Sequence, residues 1–232
     1  MYSLSAIVPF YNEEKFLYES VTKLIETNLF QEIILIDDNS SDQSSKIAED
    51  IVEKYKNVSY YKKEKNEGKG SAVIFGYKKV SSSHIIVHDA DLEYNPADIK
   101  KLKQLSINNP DSLILGSRTI GNIKRNKQYK HLVIGNKLIT KFFSMLNNIK
   151  ISDISTCYMI YSKKFIDNAS IEEKKFGIEI EILSKFVKSK EKIIESPIHY
   201  SGRSYLEGKK ITYKDGIEIF LKVIKYRFLW NK

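Results

Sequence analysis

Cysteine is nearly absent. Cys157 is the only one, so no disulfide can form within the chain, and a reducing, cytoplasmic location is expected. Proline is scarce as well, at four, alongside ten glycines, and neither clusters, which excludes a proline-rich linker or a long flexible hinge. No apolar run approaches the roughly 18 residues that span a bilayer. The N-terminus enters "LSAIVPF" at Leu4, without the basic lead and long apolar stretch of a secretory signal. The chain is expected not to cross a membrane, which leaves open that it lies on one. That first apolar run ends in "VPFYNEE" with no glycine-rich turn, so the dinucleotide and P-loop fingerprints are missing where they would belong.

Arginine is the other scarcity. Only Arg118, Arg125, Arg203 and Arg227 stand among 38 basic residues, so an arginine here marks a position where a planar, bidentate fork matters, as it does against phosphate. The formal net charge of +9 points either to anionic partners or to general lysine usage. Nucleic acid is the poorest of those partners, because the basic residues are dispersed and no reading motif occurs.

What the chain does have is rhythm. With 232 residues and 42% hydrophobic content it can bury one sizeable core. Strand-like runs alternate with amphipathic helical stretches: "LSAIVPF", then helix from about 13 to 28; "EIILIDD", then helix to Tyr55; "VSYY", then "NEGKGSAVIFGYKKV"; "HIIVHDAD", then helix after Pro96; then "SLILGSR". This is the pattern of a mainly parallel sheet with helices on both faces. The second half is less regular, with helices near 131–147 and 179–188 and strands at "CYMIYS" and "KIIESPIHY".

In such a sheet, ligands bind at the carboxyl ends of the strands. The second strand ends in Asp37 and Asp38, which suit either hydrogen bonds to a base or ribose, or a capping turn through Asp42. "NEGKG" places Lys69 and two glycines at a helix start, where free N–H groups favour phosphate. Asp89 and Asp91 flank the small Ala90, and strand alternation would set both on one face, without an obvious lysine partner in sequence. Oxygen-only ligands of this kind select Mg²⁺ or Mn²⁺. His88 reads as a packed or hydrogen-bonded residue rather than a zinc ligand.

Together, "AIVPFYNEE", "LIDDNSSDQS", "NEGKGSA", "VHDADLEYNP", "LGSR" and "ESPIHYSGRSYLEGKKI" resemble the inverting family 2 glycosyltransferases of GT-A fold. Within these, the chain is most similar to polyprenyl-phosphate (dolichyl-phosphate) mannose and glucose synthases. The resemblance implies a metal-dependent transfer of a hexose from a UDP-glucose or GDP-mannose type donor to polyprenyl phosphate at the cytoplasmic membrane face. It implies that Pro9, Tyr11, Glu13, Asp37 and Asp38 surround the nucleoside, and that Asp89, Ala90 and Asp91 meet the ribose and metal. Glu93 falls where a third metal ligand can occur, and Arg118, Arg203 and Lys209 match residues that hold the diphosphate and acceptor phosphate. The expected catalytic residues are Asp91, Arg203 and Asp153, the last as the general base that a sugar hydroxyl acceptor would need; Asp153 reads equally as a turn cap.

The alternatives are a non-processive family 2 enzyme acting on a sugar hydroxyl in cell-surface polysaccharide or glycolipid synthesis, and a non-catalytic nucleotide-binding module on the same fold. The Gln-x-x-Arg-Trp motif of processive synthases is absent. The "GRSYLEGKKITYKDG" stretch suits a loop closing over phosphates, or a solvated basic loop. Residues 1–213 are expected to form the GT-A domain. Residues 214–232 are expected to form an amphipathic helix whose face of Ile217, Phe220, Leu221, Ile224 and Phe228 either packs on the domain or lies peripherally on a membrane. Many similar chains carry transmembrane helices beyond this point, and their lack here weakens a lipid acceptor.

Overall fold

The computed structural model describes residues 1–121, 129–204 and 213–229. Its strands are β1 (Leu4–Phe10), β2 (Glu32–Asp37), β3 (Val58–Lys62), β4 (His84–Val87), β5 (Leu113–Ser117), β6 (Met159–Ser162) and β7 (Ile193–Pro197). The helices are α1 (Leu17–Glu26), α2 (Ser44–Lys54), α3 (Lys69–Tyr77), α4 (Ile99–Asn108), α5 (Lys130–Asn147), α6 (Lys163–Ala169), α7 (Ile178–Ser189) and α8 (Tyr213–Ile224). A π-helical turn, Lys225–Leu229, extends α8.

The sheet runs in the order β3-β2-β1-β4-β6-β5-β7. All neighbouring pairs are parallel except those of β6, which is antiparallel to both β4 and β5. Every residue of β1 is buried, and alternation divides them between two cores: Ile7 joins one, while Leu4, Ala6, Val8 and Phe10 join the other. Helices α1, α2 and α4 cover the second face through residues such as Leu17, Ile51 and Leu102. The first face is covered by α3 and α5 to α8, through Val73, Phe143, Phe186 and Val223. A sheet buried on both faces needs such continuous apolar strands, which is why these runs were legible.

Chain order reverses at β1. From it the chain moves outward to β2 and β3, then returns to place β4 on the other side of β1. The carboxyl ends of β1 and β4 therefore diverge into a crevice, the place where open α/β sheets bind ligands. The sequence missed α6 and did not foresee the antiparallel β6, which sits between β4 and β5 so that consecutive strands in the chain are not neighbours. Among the described residues no helix is long and apolar enough to cross a membrane. The terminal helix contributes Val223 and Tyr226 to the core.

Candidate active site

At the end of β1, Pro9 and Phe10 reach the rim of the crevice and Tyr11 is exposed beyond it. Asn12, left-handed at φ 51°, turns the chain there. The Glu13 backbone N–H then donates to Ser44 Oγ at 2.8 Å, which ties this turn to the start of α2.

At the end of β2 the two aspartates part ways. Asp37 is fully buried and accepts from the Ser40 N–H (2.6 Å), Ser45 Oγ (2.6 Å) and Tyr60 hydroxyl (3.1 Å); it does not line the crevice. Asp38 does line it, and holds Lys63 Nζ at 2.5 Å together with the N–H groups of Gly68 (2.7 Å) and Glu67 (3.2 Å). The start of α3, expected as a phosphate cradle, is thus already occupied by a carboxylate. Ser71 N–H also donates to the Lys174 carbonyl at 2.8 Å, and a Cβ at Gly70 would collide with the Glu173 carbonyl, so residues 173–175 lie directly on this helix start.

The acidic stretch after β4 is the densest part of the site. The strand stops at Val87, so Asp89 and Asp91 lie in a turn and owe their common direction to it rather than to strand alternation. Leu92 is left-handed at φ 60°, a conformation that costs a residue with a Cβ about 1–2 kcal/mol, and it sends Glu93 back toward the sheet. Contrary to the sequence reading, Asp89 has a lysine partner: Lys69 Nζ lies 2.8 Å away, and 2.7 Å from Glu179 on the first turn of α7. Burial opposes ionisation of Asp89, but the charge and hydrogen bond of Lys69 hold its carboxyl below the ordinary range. Asp91 meets Arg203 Nη2 at 3.5 Å. Burial first, then the charges of Asp89 and Glu93, push its carboxyl up to about 7 despite that arginine.

Glu93 is committed elsewhere. Its carboxylate accepts from the Tyr200 hydroxyl and from the Arg203 N–H (2.6 Å), and its carbonyl accepts from Ser201 N–H at 2.8 Å. It acts as a clamp on the 200–203 segment. Among the described residues no three His, Cys, Asp or Glu side chains are arranged to hold a metal, so the expected Asp89–Asp91–Glu93 set is not gathered. Asp89 and Asp91 alone still fit a hard cation, since Mg²⁺ is commonly held by one or two carboxylates plus substrate phosphates and water, and both line the crevice with Glu13 and Glu93. Arg203 reaches Glu13 at 3.0 Å and stacks over Phe16, 5.0 Å from the ring centre; its Nε is buried without a hydrogen-bond acceptor.

Arg118 lines the crevice from the end of β5. Its Nε and Nη2 form a fork on Asp153 at 2.7 and 2.8 Å, its backbone N–H donates to the same carboxylate at 3.0 Å, and its guanidinium lies 4.9 Å from the centre of the Tyr200 ring. Asn136 supplies a further donor to Asp153 at 3.0 Å. Asp153 is fully buried behind Arg118 and does not line the crevice. Burial would raise its pKa, yet Arg118 outweighs this and holds it low. His88 bridges Ser20 and Tyr158 at 2.9 Å each, as the sequence reading of a packed histidine has it; burial lowers its pKa to about 4.

The crevice encloses about 380 Å³, within the range of small-molecule sites. It gathers Pro9, Tyr11, Glu13, Asp38, Lys69 and the whole Asp89–Asp91 turn with Glu93, Arg118 and Arg203, but not Asp37 or Asp153. Lys209 and Arg125 lie outside the described residues. The sequence reading missed Glu179, Tyr200 and Phe176, which also line it. Glu179 sits at the start of the helix expected near 179–188, in "GIEIEIL", which carries no catalytic spacing. A larger cavity, about 610 Å³, opens between α6 and α7 at the opposite end of the sheet. Its buried Lys185 is already satisfied by Glu181 (2.8 Å) and the Ala169 and Ser170 carbonyls, so the smaller crevice is the candidate site.

Comparison with known proteins places the chain in a family. The model of the family described as glycosyl transferase family 2 matches residues 5–169. A dolichol-phosphate mannosyltransferase of Pyrococcus furiosus is 30% identical over 90% of this chain, which spans 60% of that protein's length. A UDP-N-acetylglucosamine–dolichyl-phosphate N-acetylglucosaminyltransferase of Methanococcus voltae is 28% identical over 94% of this chain and 93% of its own. Among solved structures, glucosyl-3-phosphoglycerate synthase of Mycobacterium tuberculosis, in complex with Mn²⁺, UDP and glucosyl-3-phosphoglycerate, superposes with a TM-score of 0.74 at 15% identity, covering all of this chain and 81% of that one.

Proposed function

Since the chain belongs to glycosyl transferase family 2 and is a glycosyltransferase of GT-A fold, we propose that it moves a hexose from a UDP-glucose or GDP-mannose type donor to polyprenyl phosphate, on the cytoplasmic side of a membrane. The observation that carries this reading is the convergence of Glu13, Asp89, Asp91 and Glu93 on one crevice at the switch point, where burial first and then the neighbouring carboxylates raise the pKa of Asp91. A divalent cation would supply positive charge there and hold the donor's diphosphate against the carboxylates.

Asp89 and Asp91 would hold Mg²⁺ or Mn²⁺, which when bound neutralises charge growing on the departing nucleoside diphosphate. Arg203 adds a positive charge that lines the crevice beside Asp91 and would face the diphosphate. Arg118 cannot reorient freely, because Asp153 holds its fork; it presents a fixed positive edge to the crevice, the kind of preorganised charge that stabilises a transition state. Tyr11 and Pro9 at the β1 rim, with Asp38, would border the nucleoside. Attack from the face opposite the leaving group inverts the anomeric carbon.

Two facts favour a phosphate acceptor over a sugar hydroxyl. Both named relatives act on dolichyl phosphate, and Asp153, the residue read as a base, is locked on Arg118 rather than facing the crevice. A phosphate is already an anion and needs no base. The test is incubation with UDP- and GDP-sugars, Mg²⁺ or Mn²⁺, and short polyprenyl phosphates, reading the product by mass. A hexosyl phosphopolyprenol is expected; transfer only to a glycan hydroxyl, or no transfer with any donor, overturns the reading.

A further inference from the structure

Seven of the twelve large apolar side chains exposed among the described residues stand on two adjacent helices. On α5 these are Ile134, Leu138 and Met145, with Met145 the most exposed at 69%; their spacing of four and seven puts them on one face. On α8, Ile217, Phe220 and Leu221 repeat the pattern, and Phe228 continues it in the π-helical turn. The helices pack side by side, the rings of Phe142 and Phe220 stacking at 4.8 Å, while their opposite sides bury Phe143, Val223 and Tyr226. Scattered surface apolar residues need no explanation, but a contiguous patch does.

Charge decides what covers it. Helix α5 contains no acidic residue, and its exposed Lys137 and Lys141 interleave with Ile134 and Leu138 on the same face. On the other helix Lys225 and Arg227 are exposed, while its two acids, Asp215 and Glu218, lie in its first half, Glu218 toward Lys222 at 3.9 Å. A second copy of this face would set lysines against lysines. An anionic bilayer surface takes both components at once, the apolar tips entering the acyl boundary and the amines staying with headgroup phosphates. The patch also adjoins the crevice: Ile219, on the inner side of α8, lines it together with Phe176.

We infer that α5 and α8 together form a docking face for an anionic lipid surface, which holds the crevice mouth against the bilayer. This rests on the acceptor reading above and names the surface from which such an acceptor would be drawn.

The test is co-sedimentation of the full chain, without donor or acceptor, with vesicles of phosphatidylcholine alone and of equimolar phosphatidylcholine and phosphatidylglycerol. Binding is expected only to the anionic vesicles. The Leu138→Gln/Leu221→Gln and Lys137→Gln/Lys141→Gln double variants alter exposed groups outside the crevice. Each should keep its melting temperature and weaken partitioning by about tenfold or more. Each should also keep wild-type turnover on a short, water-soluble polyprenyl phosphate. No binding by the wild type, or unchanged binding by both variants, overturns the inference. So does a wild-type dimer in light scattering that the leucine variant splits, since the face would then cover itself. Failure of the transferase reading looks different: vesicle binding persists while no donor is turned over.

Discussion

Two pairs of aspartates, Asp37-Asp38 after β2 and Asp89/Asp91 after β4, look alike in sequence and end at the same edge of the sheet. Their surroundings differ. The first pair is well satisfied: three donors on Asp37, and on Asp38 a buried lysine with two backbone N–H groups. In the second pair Lys69 is shared between Asp89 and Glu179, and Arg203 is spread over Glu13, Asp91 and Glu93 at 3.0, 3.5 and 3.9 Å. Buried charge that is fully partnered builds structure; buried charge that is not fully partnered is tolerated where a ligand completes it. The first pair shapes the crevice, and the second is the pair proposed for the chemistry.

The largest effect that would break this comparison is at Asp91. Replacement by Asn should lower transfer by about a thousandfold or more, a loss of roughly 4 kcal/mol of transition-state stabilisation, while the fold survives. The pH dependence sharpens it. Asp91 has a folded pKa of about 7 against an ordinary 3.8, so the folded state binds its proton more tightly than the unfolded one. Its contribution to stability is therefore complete below pH 4 and is lost as pH rises to about 7. Thermal melts of the metal-free protein should show this decline in the wild type and less of it in Asp91→Asn, with Mn²⁺ restoring the wild type above pH 7. A variant with wild-type turnover would remove Asp91 from the chemistry.

The second effect is the converse. Asp38→Ala leaves buried Lys63 with only the partly exposed Glu67 carboxylate at 3.4 Å and strips the cap from α3; removing one member of a buried pair costs up to about 3–5 kcal/mol, and Glu67 should keep the loss toward the lower end. Urea unfolding should register it as a fall in midpoint, independent of metal. If Asp38→Ala were as stable as the wild type, the structural half of the comparison would collapse.

The limits of the sequence reading follow the same division. Runs such as "AIVPF" and "EIILID" declare buried parallel strands through apolar composition alone, and the order of the motifs located the crevice. What could not be read is what long-range packing decides. Lys69 reaches Asp89 across 20 residues and Arg118 reaches Asp153 across 35, and no local pattern reports either contact. Strand alternation gave the right common direction for Asp89 and Asp91 for the wrong reason, since the strand stops at Val87. Helix α5 was visible as a helix, but which of its faces met the core depended on where α8 would pack.

The smallest effect concerns Asp153, which lies between the two classes: buried and partnered like Asp38, yet partnered to a crevice residue. Asn at this position keeps one oxygen for Arg118 and turns an amide toward the other guanidinium nitrogen. The fork becomes a single bond, at a cost of about 2 kcal/mol. If Asp153 only positions Arg118, activity should fall modestly at every pH and Asp153→Glu should recover part of it. If it were a base, transfer to a hydroxyl acceptor should collapse while stability stayed level. Melting curves and pH–rate profiles taken on the same preparations separate the two, because a positioning residue moves both stability and turnover whereas a base moves turnover alone.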